Sequence, residues 1–402
     1  MIALDDIQAA RARIGDAIFA SPCAFSQTFS TLAGNAVYFK LENLQMTGSF
    51  KERGALNKIL TLSEAERRRG VICASAGNHA QAVAYHATRL GAKAKIVMPS
   101  LAPLTKVNST RRYGGEVLLH GNSYDDAYTE ALRLSEAEGL TYVHAFNDDA
   151  VIAGQGTIGL EILNQVPDVE AIVAPIGGGG LLGGIAVAVK ALKPDVRIVG
   201  VQTARVPSMQ VAMREHAPVT VPPAATIADG IGVRRVGERN LEIAERYLDE
   251  YVTVEEEEIA SAILLLLERE KTVAEGAGAT ACAALMQRRT SLENKVTVCL
   301  VCGGNIDPIF LTRIIERGLV KDGRLVRLRL HTTDHPGALH AVTGIFARLR
   351  ANVIEISHER AYFNVRLGYT AIDFTLETRG SDHVDELLAA LTDAAYAYER
   401  IT

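Results

Sequence analysis

The stretch Thr47-Gly48-Ser49-Phe50-Lys51-Glu52-Arg53-Gly54 places one lysine where two local patterns meet. Val37 to Glu42 reads as a short strand and Ala55 to Leu60 as a helix, so Lys51 falls at a helix start. A helix N-terminus disfavours a cation, and a neutral lysine amine forms a Schiff base with a carbonyl where an ammonium cannot. Taken alone, the octapeptide suits a solvated surface lysine equally well. A second segment, Ile176-Gly177-Gly178-Gly179-Gly180-Leu181-Leu182-Gly183-Gly184, follows the strand-like Ala171 to Ala174 and opens a helix through Ala188. Consecutive glycines at a helix start free backbone N–H groups to close on an anion, which makes this run a phosphate cradle. Four glycines in succession exceed what a tight turn needs. The run also contains G-x-G-x-x-G through Gly178, Gly180 and Gly183, but the next strand, Arg197 to Val201, ends at Gln202, where a dinucleotide-binding fold places an acid. A single phosphate is the better fit.

Two further strand ends carry small-residue turns. In Ser75-Ala76-Gly77-Asn78-His79-Ala80, free N–H groups suit a carboxylate and the Asn78 amide suits a ring oxygen, although an ordinary helix cap fits as well. Val301-Cys302-Gly303-Gly304-Asn305 offers the Cys302 thiol as a neutral, weak hydrogen-bonding group. Ligands of open α/β sheets bind at strand ends. Lysine, phosphate cradle, asparagine loop and cysteine turn together describe a carbonyl-bearing phosphorylated cofactor, and pyridoxal 5′-phosphate (PLP) satisfies all four.

The elements that must position these groups alternate. Val71 to Ala74 leads to a helix from about Asn78 to Leu90, then strand Ala94 to Pro99, a helix near Leu104 to Tyr113, strand Glu116 to Leu119, helix Tyr124 to Glu138 and strand Tyr142 to Ala145. Such alternation over some 320 residues means βαβ units and mainly parallel sheets. Ser63 to Glu66 is a capping box, and the acids Glu255 to Glu258 read as the solvated first turn of a helix to Arg269. From Arg324 the pattern changes to strand (Leu325 to His331), helix (Gly337 to Leu349), strand (Val353 to Tyr362), strand (Arg366 to Glu377), helix (Asp382 to Ala395) and a last strand near Tyr398. This βαββαβ order is ferredoxin-like.

Composition narrows the function. The 402 residues carry a formal net charge of −5, so no nucleic-acid partner is expected. Neither a signal-peptide h-region nor a run of membrane-spanning length is present, and a cytoplasmic protein with no membrane partner is expected. Five cysteines at irregular spacing do not read as a disulfide framework. Cys299 and Cys302 mimic a CxxC pair, yet their odd offset along a strand sends them to opposite faces. The ten histidines include no pair at helical metal-ligand spacing with a third ligand nearby, so no metal site is expected.

The segments SFKERGA, SAGNHAQ, GGGGLLGG, TIADGIGV, TVAEGAGA and CGGNID resemble the threonine/serine dehydratase family of fold-type II PLP enzymes over about residues 1–320. The segment Thr333-Asp334-His335-Pro336-Gly337-Ala338-Leu339, followed by Ala351-Asn352-Val353, resembles an ACT domain, and the whole chain is similar to threonine ammonia-lyases of the short, ACT-containing type. The resemblance implies an α/β protein with a two-lobed, tryptophan synthase β-like catalytic domain over 1–320, its small lobe at about 51–146 inserted in the large one. A regulatory ACT domain at 325–402 would follow. It implies Lys51 as the Schiff-base lysine with Phe50 against the cofactor ring, Asn78 at the ring hydroxyl, Gly177, Gly178, Gly179, Gly180 and Leu181 at the phosphate, and Cys302 at the pyridine nitrogen. Ser75, Gly77, Asn78 and His79 would hold the substrate carboxylate, and Gly337, Ala338, Leu339 and Asn352 an amino-acid effector.

The implied reaction is α,β-elimination of L-threonine, and of L-serine, to a 2-oxoacid and ammonia, by a homodimer or homotetramer. Other small β-hydroxy amino acids, 3-hydroxyaspartate and phenylserine among them, remain open as substrates. Racemases of the family have serine where Ala76 stands, and relatives with a divalent-metal site have acids where Gln202 and Ser208 stand, so neither a racemase nor that metal site is expected. An NAD-dependent oxidoreductase would leave Lys51 idle, and a non-catalytic amino-acid sensor would leave the whole lysine-centred site idle.

Overall fold

Continuous apolar runs such as Ala171–Pro175, buried at every position, are what a parallel strand covered on both faces requires. They build two sheets in the computed structural model, which describes residues 2–359 and 366–401. The larger sheet has the order Cys23–Phe25, Ala36–Leu41, Val296–Val301, Ala171–Pro175, Arg197–Thr203, Glu250–Val254, with only the first pair antiparallel. The smaller is wholly parallel in the order Glu116–Leu119, Ala94–Met98, Val71–Ala74, Thr141–Tyr142. All strands of the smaller sheet lie in the chain between two strands of the larger one, Ala36–Leu41 and Ala171–Pro175. This two-sheet α/β arrangement is the fold-type II architecture.

Helix Asp149–Gln165 carries the chain from the smaller sheet back to the larger, capped by the Asp148 side chain, which accepts from Val151 N at 3.1 Å. It packs against helix Lys51–Thr61 and helix Gly180–Leu192. The first of these contacts is close enough to need glycine on both sides. A Cβ on Gly154 would stand 2.6 Å from Arg53 O, and one on Gly54 2.4 Å from the Gln155 amide. Beside this crossing, fully buried Arg53 donates to Glu42 at 2.8 and 2.7 Å and to Glu161 at 2.7 and 2.9 Å, while Lys40 Nζ reaches Glu161 at 2.6 Å. Two cations and two carboxylates thus neutralise each other in the interior, and the helix that begins at Lys51 is fixed by the network.

The chain divides into two compact units, Met1–Asp307 and Pro308–Thr402. In the second, helix Pro308–Lys321 precedes a four-stranded antiparallel sheet of order Asn352–Glu359, Tyr369–Glu377, Leu325–Thr333, Ala397–Ile401. Helices Ala338–Leu349 and Ser381–Asp393 close over a core that includes Leu328, Leu330, Phe346, Phe374 and Leu387. This is the ferredoxin-like fold of an ACT-like module.

Three local readings change. The strand expected over Tyr142 to Ala145 is instead Thr141–Tyr142, because His144 Nδ1 accepts from the N–H groups of Phe146 (3.2 Å) and Asn147 (2.9 Å) and turns the chain. The strand expected over Val353 to Tyr362 spans Asn352–Glu359, and residues 360–362 lie outside the described residues. Glu256, read as part of a solvated helix start, takes Thr203 Oγ1 (2.9 Å), Thr226 Oγ1 (2.8 Å) and Ile227 N (2.6 Å) and so pins the TIADGIGV loop. Among the described residues, no helix is long and apolar enough to cross a membrane.

Candidate active site

Strand ends of both sheets converge on one cavity of about 680 Å³. Each catalytic, cofactor and substrate residue expected from the sequence lines it: Phe50 and Lys51, Ser75 and Gly77–His79, Gly177–Leu181, and Cys302. Lys51 is the first residue of its helix, and Nζ donates to Ala145 O at 2.9 Å and lies 5.0 Å from the Phe50 ring centroid. Its pKa is lowered to about 8, first by burial, with Cys302 and Glu275 pulling the other way. Desolvation, which lowers the amine's pKa, adds to the helix position argued from the sequence. The lysine turn is stitched to the cysteine turn through Phe50 N to Cys302 O (3.1 Å), Gly304 N to Gly48 O (2.9 Å) and a bridge between Ser49 and Gly303. Burial pushes the Cys302 thiol well above its ordinary value of 9.0, so it stays neutral.

The glycine run starts helix Gly180–Leu192 from Gly179 at φ +97°, a backbone that side chains rarely adopt. Close packing also limits the run, since a Cβ on Gly178 would stand 2.3 Å from the Phe146 ring. The first turn leaves N–H groups without intrahelical acceptors, which suits a phosphate and needs no cationic side chain. The asparagine loop starts helix Asn78–Arg89 in the same way. Asn78 donates to Glu275 at 2.5 Å and accepts from Asn305 at 2.8 Å, and Asn305 also donates to Thr47 O at 2.7 Å. His79 stands with Nε2 against Val143 O at 2.8 Å. Burial, then the Lys51 charge, lower its pKa to about 3, so the ring is neutral and faces a carbonyl rather than a carboxylate. With Nε2 committed to Val143 O, the neutral imidazole has no N–H left to offer an anion at this turn.

Glu275 was not assigned from the sequence. It is buried, lines the cavity, and has its pKa raised to about 7, first by burial and then by Asp229. Its signal was present: one acid inside the otherwise apolar and small TVAEGAGA, immediately before helix Gly276–Met286. Asn305, in CGGNID, carried a similar signal. At the cavity mouth Lys106 pairs with Asp229 at 2.5 Å and Arg234 with Asp125 at 3.1 Å. Gln202 and Ser208, the two metal-site positions, are both buried; Gln202 Oε1 accepts from Met209 N (3.0 Å) and Gln210 N (3.1 Å), so its carbonyl is taken up in capping helix Ser208–Glu215. In the second unit, Gly337 (φ +91°) precedes helix Ala338–Leu349, Ala338 is buried, Leu339 packs on the core, and Asn352 donates to Glu377 at 3.1 Å.

A buried amine that gives up its proton more readily than a free lysine, a cradle of free N–H groups and a neutral thiol on one cavity fit PLP by charge and donor type. Comparison with known proteins agrees. Residues 14–303 match the family described as pyridoxal-phosphate dependent enzyme. The chain is 48% identical to an L-threonine ammonia-lyase of Thermotoga maritima, over 98% of each chain. It is 43% identical to the catabolic L-threonine dehydratase of Escherichia coli K12, over 76% of this chain and 94% of that protein. Among solved structures, the processed threonine deaminase isoform 2 of Solanum lycopersicum aligns with TM-score 0.74 at 38% identity, over 78% of this chain and 86% of that one. Maize serine racemase aligns with TM-score 0.74 at 32% identity, over 79% and 98%. By a family match covering most of its first unit and by similarity along nearly its whole length, the chain belongs to the pyridoxal-phosphate-dependent enzymes.

Proposed function

We propose that the protein is an L-threonine ammonia-lyase that also accepts L-serine, releasing ammonia with 2-oxobutanoate or pyruvate. The observation that carries this reading is the Lys51 amine, lowered to about 8 and set on the same cavity as a phosphate cradle and a second helix N-terminus. PLP, when bound, supplies the electron sink for the charge left by α-proton removal. Lys51 would hold the cofactor through Nζ, and the same amine would serve as the base for the α-proton; a base poised near neutral pH is suited to that task. Phe50 would lie against the cofactor ring, Cys302 would meet the pyridine nitrogen as a neutral thiol, Asn78 would meet the ring hydroxyl, and Gly177–Leu181 would receive the phosphate. Backbone N–H groups of Ser75 to His79 hold the substrate carboxylate.

Two features bear on the substrate. Among the described residues, the cavity cations beyond Lys51, namely Lys106, Arg234 and Arg235, already have acidic partners in Asp229, Asp125 and Glu238, so a second carboxylate would have to displace one of them. This favours threonine and serine over 3-hydroxyaspartate. Ala76 lines the cavity and, as alanine, has no hydroxyl to return a proton from that position, which favours elimination over racemisation. Initial rates of 2-oxoacid and ammonia formation, compared across L-threonine, L-serine, 3-hydroxyaspartate and phenylserine, test the reading. The highest kcat/KM is expected for L-threonine, with negligible D-enantiomer. A preference for 3-hydroxyaspartate, or D-serine forming as fast as pyruvate, contradicts it.

A further inference from the structure

Asn240 lies below the glycine run, in helix Glu238–Tyr247, and is 1% exposed. Its amide nitrogen donates to Gly178 O and to Phe146 O, both at 3.0 Å. Since both neighbours are carbonyls, the amide has only one orientation that bonds, and each of its two hydrogens is committed. The contact is tight: a Cβ on Gly179 would stand 2.6 Å from Asn240 Cβ, and Gly237 N adds a second donor to Gly178 O at 3.3 Å. Asn240 Oδ1 finds no partner among the described residues, so the residue leaves one buried acceptor unsatisfied while satisfying two others.

The two carbonyls belong to the two halves of the site. Gly178 lies within the cradle, and Phe146 follows Ala145, whose carbonyl takes the Lys51 amine at 2.9 Å. His144 in turn folds that segment by accepting from Phe146 N and Asn147 N. A carbonyl turned toward a phosphate repels it, whereas one held back leaves the adjoining N–H groups facing the anion. We propose that Asn240 is a positioning residue for cofactor phosphate: it holds the Gly178 carbonyl away from the cavity and ties the cradle to the segment that receives Lys51. The inference rests on the reading of Gly177–Leu181 as the phosphate site.

The test uses the full chain, freed of cofactor and titrated with PLP and, separately, with pyridoxal, which lacks the phosphate. Wild type should bind PLP much more tightly than pyridoxal; equal affinities would remove the cradle reading itself. Asn240→Asp keeps the shape but loses both donors, Asn240→Ala loses the side chain, and Asn240→Ser retains one donor. Asp and Ala variants should bind PLP about tenfold or more weakly, equivalent to about 1.4 kcal/mol, with pyridoxal affinity changed less than about twofold, and Ser should fall between. Unchanged PLP affinity, or equal losses for both ligands, would overturn the proposal, the second outcome marking Asn240 as a general packing residue. Should Asp fail to fold, the Ala and Ser variants give the same comparison.

Discussion

Burial lowers the pKa of the Lys51 amine, and Cys302 and Glu275 oppose the shift. Neutral amine is the form that engages a carbonyl, so covalent PLP uptake by cofactor-free protein should rise about tenfold per pH unit below the amine's pKa and level off above it. With the pKa lowered to about 8, the plateau should begin near pH 8 rather than above pH 10. Glu275 raises the Lys51 value, so Glu275→Gln should move the plateau to lower pH. Stopped-flow uptake measured against pH checks both; a plateau that stays put in the variant would remove Glu275 from the site's electrostatics. The two cavity-side histidines should leave no inflection, because burial holds His79 near 3 and His144 near 4. Lys51, the glycines and Cys302 were legible in the sequence because each sits in a short, compositionally unusual turn. Asn240 was not, since Gly237-Glu-Arg-Asn240 looks like any polar helix start and its partners are backbone carbonyls from residues 146 and 178.

At the scale of elements, helix Lys51–Thr61 is held by the buried quartet of Lys40, Arg53, Glu42 and Glu161. Removing Arg53 leaves Glu161 paired only with Lys40 and Glu42 with no cation, held only by Ser21 Oγ and Gln45 Nε2. Arg53→Met should therefore cost about 3–5 kcal/mol, read from denaturant unfolding of the full chain. A loss under about 1 kcal/mol would mean that Glu42 and Glu161 find water or protons instead. This network was invisible in the sequence because its members are spread from residue 40 to residue 161 and pair only after helix Asp149–Gln165 crosses the lysine helix. Strands with regular apolar runs were readable almost to the residue, as at Val71–Ala74 and Glu116–Leu119. Val143 to Ala145 was not: Val143 N still reaches Ile72 O at 2.8 Å, but beyond it the His144 side chain accepts from Phe146 N and Asn147 N and turns the chain.

For the whole molecule, we propose that the second unit senses an amino acid and leaves the chemistry to the first. Every residue assigned to cofactor or substrate lies before Asp307, and the E. coli relative matches 76% of this chain with 94% of its own length. The Gly337 turn at the start of helix Ala338–Leu349 offers N–H groups to a carboxylate, with isoleucine or valine the effectors to test first. A chain ending at Asp307 should keep eliminating threonine and lose any response to branched-chain amino acids. In the intact protein that response should correspond to about 1–3 kcal/mol of coupling. Activity and thermal stability unaffected by isoleucine, valine, leucine, serine or threonine would leave the unit a structural one.

Two lysines line the cavity, Lys51 and Lys106, and which of them carries the cofactor decides the chemistry. Reduction of the PLP-loaded protein with borohydride, followed by proteolysis and mass spectrometry, fixes the bond where it stands. The pyridoxyl group should appear on Lys51 alone, and Lys51→Ala should retain no reducible cofactor while its ammonia release from L-threonine falls by at least about a thousandfold. Label on Lys106, or substantial elimination by the loaded Lys51→Ala protein, would contradict it.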